Sequence, residues 1–179
     1  MIVEFPSRLD YSSPNFKALI FQLNELRTDE LGEIVVHCPN LHDIKAALMK
    51  YRESNVIIMC HSKHLVGLDK LLLNCQIDKL YVLYENNNQD MTEWLDGLIL
   101  NTMTKVHSKK QLMRHLCMAT MLWYYRRGEE HQQNGDYGLA NLYFQDSRSA
   151  LAYAAEFIWF VCFLHYKNWS STCDDTKIK

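Results

Sequence analysis

The chain has 179 residues, a formal net charge of -2 and 48% hydrophobic residues. This length suits one domain with a substantial core, and the apolar fraction excludes a disordered chain. The near-neutral charge argues against a broad nucleic-acid surface or an anionic-membrane surface. Since neither a signal peptide nor a run of about 18 apolar residues is visible, we expect a cytoplasmic protein with no membrane contact.

The N-terminal part predicts a strand followed by a helix. Met1–Phe5 fits a first strand. Ser13 followed by Pro14 is typical of an N-cap with proline at the first helical position. From Phe16 to Leu26, apolar residues recur at steps of three and four, which predicts an amphipathic helix.

Three short apolar runs predict buried parallel strands. They are Ile34–Cys38, Val56–Cys60 and Leu80–Tyr84, each rich in β-branched or aromatic residues and followed by polar residues. We expect these strands to be adjacent in one sheet. Its centre should be Val56–Cys60 or Met1–Phe5.

Helical patterns separate the strands, with Asn40, Ser62 and Asp90 as candidate N-caps. Thr104–Val106 fits a short edge strand. This alternation of strands and helices predicts a parallel sheet with helices on both faces. Four or five strands favour a flavodoxin-like strand order.

The composition changes at Ser108, after which no strand pattern follows. Ser108 and Gln111 form a capping box. We expect two long antiparallel helices, Ser108–Asn134 and Tyr137–His165, joined at a Gly135-Asp136 turn.

These patterns divide the chain into an α/β domain (1–107), a helical hairpin (108–167) and a frayed tail (168–179). Within the hairpin, Phe157–Leu164 is apolar on every side and requires cover from the sheet or from another chain. The simplest neighbour is a second copy of the chain related by a two-fold axis. The expected interface residues are Trp159, Phe160 and Phe163.

Small and aromatic residues recur through the hairpin. They are Tyr124, Gly128, Gly135-Asp136-Tyr137, Ala140, Phe144 and Ser147. With this spacing the stretch Tyr124–Leu151 resembles a tetratricopeptide repeat, in which two small residues lie where the helices touch and a glycine supplies a positive φ at the turn. Because no second copy and no closing proline are present, the resemblance implies an interaction annex rather than a solenoid.

A looser pattern lies upstream of the hairpin. It comprises Ser7-Arg8-Leu9-Asp10, Leu80-Tyr81-Val82-Leu83-Tyr84, Trp94, Lys105-Val106 and Leu112 to Leu116. With it the stretch from Glu33 to Leu116 resembles a small α/β domain that precedes tetratricopeptide repeats in modular animal proteins. Some of those proteins also carry an ADP-ribosyltransferase domain, which has no counterpart here. The resemblance therefore implies no catalytic residue.

Ligands of open parallel sheets bind beyond the carboxyl ends of the strands. The side chains expected there form a strand-end rim of His37, Asn40, His61, Ser62, Glu85 and Asn86. The glycine patterns of dinucleotide sites and P-loops are absent, and the third predicted strand ends in His61 rather than in the aspartate of a phosphoacceptor receiver. A TIR-type NAD hydrolase needs a glutamate in a strand-end pocket, for which Glu85 is the candidate.

Two further kinds of site have weaker support. The cluster of His37, Cys38, Cys60, His61 and His64 has the ligand types of a zinc site. However, Cys38 and Cys60 end apolar runs and should point into the core, so we expect no metal. With no Cys-x-x-Cys pair among the six cysteines, we also expect free thiols and no disulfide.

The segment Trp123–Arg127 mixes aromatic and positive side chains, as single-stranded nucleic-acid sites do. Within one helix these side chains point in different directions, so we expect core and surface residues and no nucleic-acid partner.

The sequence thus predicts an α/β fold: a flavodoxin-like parallel sheet followed by a long C-terminal helical hairpin. The function it favours is a non-enzymatic cytosolic protein-interaction or regulatory module without a cofactor, which binds a protein partner through the hairpin. The alternative is a TIR-like nucleotide- or NAD-processing enzyme that uses the strand-end rim. An enzyme requires a deep pocket at the rim, whereas a binding module requires a shallow rim and an apolar groove on the hairpin.

Overall fold

The computed structural model describes residues 15–73, 75–84 and 103–170, with side chains as far as Phe157 in the last helix. In chain order the elements are β1 (Phe16–Phe21), β2 (Val35–Cys38), α1 (Leu41–Lys50), β3 (Asn55–His61), α2 (Leu65–Leu73), β4 (Lys79–Leu83), β5 (Met103–Val106), α3 (Lys109–Gln133) and α4 (Tyr137–Ser170). Short 3-10 segments lie at Asp29–Ile34 and Ser62–His64.

The described strands form one five-stranded sheet in the order β2-β1-β3-β4-β5, and every neighbouring pair is parallel. This is the flavodoxin-like order, so the predicted fold class is confirmed. Val56–Cys60 lies in the central strand, as expected, and Thr104–Val106 lies in the edge strand β5. The three predicted strands are not all adjacent, because β1 separates β2 from β3.

The helix predicted from Phe16 to Leu26 is wrong, because Phe16–Phe21 forms β1. Both faces of this strand are covered, and Leu19 and Ile20 are at most 1% exposed. A strand covered on both faces has an almost continuous apolar sequence, which contains helical three- and four-residue steps as well as strand alternation. The segments Met1–Phe5 and Ser13-Pro14 lie outside the described residues.

Strand alternation sends side chains into two cores, one on each face of the sheet. Leu19, Ile58 and Leu80 are neighbours in register and pack under α1 and α2. The next residues along, Ile20, Met59 and Tyr81, are also neighbours in register and pack under α3 and α4. Burial of each such side chain stabilises the fold by about 1.5–3 kcal/mol relative to exposure.

Side-chain caps fix the starts of two helices. Asn40 accepts a hydrogen bond from the Asp43 amide at 2.9 Å, and Ser108 accepts one from the Gln111 amide at 3.1 Å. The Gln111 side chain in turn accepts from the His107 amide at 3.0 Å. The caps predicted at Asn40 and Ser108 are therefore confirmed, whereas the one predicted at Asp90 lies outside the described residues.

The predicted helical hairpin is confirmed, with a turn in which Gly135 has a φ of +83°. The helices touch at Gly128, where a Cβ atom would lie 2.6 Å from Cε1 of Phe144. Ala140 is 2% exposed, and the Ser147 hydroxyl donates to the Met121 carbonyl at 3.1 Å. The second helix continues to Ser170, beyond the predicted end.

The hairpin extends beyond the amino-terminal ends of the strands. Trp123 stacks on Phe16, the first residue of β1, with ring centroids 6.2 Å apart. From Trp123 the first hairpin helix continues for another ~15 Å to Gln133. None of the helices in the described part of the chain is long and apolar enough to cross a membrane.

Candidate functional site

The strand-end rim is partly engaged in structural hydrogen bonds. His37 lies within the edge strand β2, where its Nε2 is 2.8 Å from the Thr28 hydroxyl. Asn40 caps α1 with its carbonyl oxygen and donates to the Asp43 carboxylate at 2.7 Å. Glu85 and Asn86, the remaining predicted residues at the end of β4, lie outside the described residues.

His61 and Ser62 lie together at the end of β3. The predicted helix cap at Ser62 is wrong, because the ring Nδ1 of His61 accepts from the Lys63 amide at 3.2 Å and caps the short 3-10 segment instead. The neighbouring His64 meets the Phe21 ring edge-on at 5.6 Å. Burial, followed by the charges of Lys63 and His61, lowers the pKa of His64.

A pocket of about 200 Å³ lies beside His61 at the carboxyl ends of β1 and β3. An ion pair between Glu25 and Lys109 spans it. The hydrogen bond from Lys109, more than its charge, lowers the pKa of the Glu25 carboxyl. This pocket is smaller than the ~300–1,000 Å³ typical of small-molecule sites.

Sequence reasoning missed the residues that close this pocket. Gln22, Glu25 and Lys109 line it, but Gln22 and Glu25 fall in the segment wrongly predicted as a helix. Gln22 has a φ of +53° and its side chain donates to the Pro39 carbonyl at 3.1 Å. A polar residue directly after an apolar run was the only available signal for this turn.

Cys38 and Cys60, which are neighbours of rim residues in the sequence, face the core as predicted. Cys38 is 1% exposed and Cys60 is fully buried. Burial raises the pKa of Cys38 to about 11 and that of Cys60 to about 12, so both remain thiols at neutral pH and are poor nucleophiles. No group of three potential metal-ligating side chains occurs among the side chains that the structure describes.

A larger concavity lies on the hairpin, on the side that faces away from the sheet. This outer groove has a volume of about 580 Å³, and its lining residues are Met121, Tyr125, Asn141, Phe144, Gln145, Ser147, Arg148 and Leu151. Tyr125 is two residues beyond the sheet-facing Trp123, which turns it about 200° around the helix. Leu112, Leu116 and Trp123 thus pack toward the sheet on one side of α3, while the groove occupies the other.

The outer groove combines exposed apolar side chains with a charged one. Tyr125 and Leu151 are 46% and 47% exposed, and the Tyr125 ring lies 5.6 Å from that of Phe144. Phe144 reaches this position because Gly128 has no side chain to obstruct it. Arg148 is exposed and forms no salt bridge with any described residue.

The expected dimer residues lie further along α4, where the structure describes the helical backbone as far as Ser170 but side chains only to Phe157. Phe157 packs against the core that lies under α3 and α4. The side chains of Trp159, Phe160 and Phe163 therefore lie outside the described residues.

Comparison with known proteins finds no matching family model, no matching curated protein and no matching solved structure. The two resemblances carried by the sequence remain predictions. What the structure adds is the strand order of the sheet and the close contact of the two helices at Gly128.

Proposed function

We propose that this protein is a non-enzymatic interaction module whose helical hairpin binds a protein partner in the outer groove. The observation that carries the proposal is the exposure of Tyr125 and Leu151, at 46% and 47%, in the larger of the concavities described above. Exposed apolar residues grouped in one groove are typical of a docking surface.

The chemistry of the groove favours one class of occupant. Two antiparallel helices form a groove in which a third, amphipathic helix can place apolar side chains at successive turns. Arg148 has no salt-bridge partner among the described residues, so it favours a carboxylate on the partner. We therefore propose an amphipathic helix with a row of apolar residues and an acidic residue beside it.

The test uses a displayed library of amphipathic helical peptides selected against the unmutated protein. Selected peptides are then measured by fluorescence anisotropy against Leu151→Glu and Arg148→Glu, with Val66→Glu as the control. Val66 is a similarly exposed residue, at 52%, but lies on α2 behind the other face of the sheet.

We expect Leu151→Glu to weaken binding at least tenfold and Val66→Glu to leave it within about twofold, since a central apolar contact is commonly worth more than 1 kcal/mol. Arg148→Glu should reverse the preference from acidic to basic peptides. Peptides that bind all three variants equally well would exclude the groove as the binding surface.

A homodimer formed through Trp159, Phe160 and Phe163 is a finer proposal, supported by the apolar character of Phe157–Leu164 in the sequence.

The alternative function, NAD processing at the strand-end rim, depends on Glu85. The size of the described rim pocket, about 200 Å³, favours the binding module over this alternative.

A further inference from the structure

Another pocket lies on the side of the hairpin opposite the outer groove. It is formed between the hairpin and the amino-terminal ends of the strands. This aromatic pocket has a volume of about 430 Å³. The residues that determine its chemistry are Trp123, Tyr124 and Tyr143 of the hairpin, Glu33 of the 3-10 segment, and Asp146 of α4. None of them lines the outer groove.

The three aromatic rings form one contiguous wall. Trp123 lies 5.1 Å from Tyr124 and 6.0 Å from Tyr143, and the two tyrosine rings are 6.1 Å apart, measured between centroids. Trp123 is 8% exposed, and its indole N–H has no hydrogen-bond partner among the described residues. Aromatic faces of this kind attract cations through the ring quadrupole.

Two carboxylates complete the pocket. Glu33 and Asp146 are exposed and form no salt bridge with any described residue. Both lie close enough to Tyr124 to raise its pKa, although burial is the larger cause.

The nearby described cations form no salt bridge with these carboxylates. Lys17 also lines the pocket, but its ammonium donates to the Glu33 carbonyl at 2.6 Å and lies 5.3 Å from the Tyr51 ring. The Lys17 side chain thus points toward the face of the sheet that α1 covers. Neighbouring side chains of a strand point to opposite faces, and the preceding Phe16 points to the other face. The Arg127 guanidinium lies 5.9 Å from the centre of the Tyr143 ring, but Arg127 already forms an ion pair with Glu130.

We propose that the aromatic pocket binds an organic cation, an alkylammonium or guanidinium group. The aromatic wall and the two carboxylates supply the attraction. Leu139 and Leu142, which also line the pocket and are 47% and 57% exposed, provide apolar cover for the stem of a lysine or arginine side chain. The proposal is independent of whether the outer groove has a partner.

The test follows the Trp123 indole N–H by ¹H–¹⁵N NMR, with Trp123→Phe to assign its signal. The cationic probes are N-acetyl-arginine methylamide, N-acetyl-lysine methylamide and tetramethylammonium. The neutral probe, N-acetyl-norleucine methylamide, has a similar stem without the charge. Binding should weaken with added NaCl, because the carboxylates are exposed.

The double variant Glu33→Gln/Asp146→Asn should weaken binding of the cations at least tenfold. Glu53→Gln, which removes an exposed carboxylate elsewhere, should leave it within twofold. Thermal unfolding of each variant shows whether the fold is retained. Tighter binding of the arginine or lysine probe indicates a peptide side chain as the natural ligand, and equal binding of tetramethylammonium indicates a free cation.

The proposal is overturned if the norleucine probe shifts the Trp123 signal as much as the cations do. It is also overturned if a folded Glu33→Gln/Asp146→Asn protein binds the cationic probes within twofold of the unmutated protein.

Discussion

A partly buried histidine that stacks against the sheet should make the stability of this protein depend on pH. His115 of α3 stacks on Tyr81 of β4, with ring centroids 4.9 Å apart and an interplanar angle of 27°. Burial, followed by the charges of Arg114 and Lys79, lowers the pKa of His115 to about 4. The native state therefore favours the neutral ring.

The sign of the effect follows from proton binding in the two states. An unfolded histidine has a pKa of about 6.5, so between pH 6.5 and pH 4 the unfolded state binds a proton that native His115 does not. Its contribution to the free energy of unfolding is full above pH 6.5 and is lost as the pH falls toward 4. From pH 7.5 to pH 5.0 the loss is about 2 kcal/mol for a fully buried ring, and roughly 1 kcal/mol for the partly exposed His115.

The assay is urea unfolding at pH 7.5 and pH 5.0, followed by far-ultraviolet circular dichroism. His115→Gln removes the titrating ring, and His42→Gln is the matched control because the His42 side chain is 90% exposed. We expect the stability lost on acidification to be roughly 1 kcal/mol smaller in His115→Gln than in the unmutated protein. His42→Gln should lose as much as the unmutated protein.

Comparison of each variant with itself at the two pH values removes the effect of the substitution on packing. An equal loss in His115→Gln and in the unmutated protein would refute the reasoning. A loss that disappears in His42→Gln would place the proton uptake on an exposed histidine instead.

Three further predictions concern the hairpin and the rim. Gly128→Ala places a Cβ atom 2.6 Å from the Phe144 ring, and it should destabilise the protein by about 1–2 kcal/mol in thermal unfolding; Gly138→Ala, where the added atom meets nothing within 4 Å, is the control, and equal melting temperatures would contradict the steric argument. Phe160→Asp should convert a dimer into a monomeric or aggregating species in sedimentation, and an unmutated protein that is already monomeric at micromolar concentration argues against the dimer. If the NAD-processing alternative holds, chromatography should show NAD consumption that Glu85→Gln abolishes; no consumption by the unmutated protein excludes it.

A strand could be predicted from the sequence where its apolar run fits a strand but does not also have helical spacing. Val56–Cys60 is a compact run bounded by polar residues, and it forms the central part of β3. Phe16–Phe21 was not predictable in the same way, because Leu23 and Leu26 continue its helical spacing into the following loop. Those two leucines pack into the core under α3 and α4 at 6% exposure each, so tertiary contacts rather than a helix explain their apolar character.

The candidate sites were less predictable, because they combine residues distant in sequence. The rim pocket joins Glu25 to Lys109, and the aromatic pocket joins Glu33 to Asp146. No local pattern links such pairs before the hairpin is placed against the sheet. By contrast, the contact between Gly128 and the second hairpin helix is one that the resemblance to a tetratricopeptide repeat implied.

The hairpin has a structural role on one side of its helices and the proposed binding role on the other. Trp123 contacts Phe16 of the sheet, whereas Tyr125 opens onto the outer groove. Because the first contact stabilises the fold, its loss would impair binding indirectly, and only substitutions on the groove side can separate the two roles. Leu151 and Arg148 meet this condition, since both are exposed and line the groove. The interaction hypothesis therefore depends on these residues, and not on the aromatic residues that hold the hairpin on the sheet.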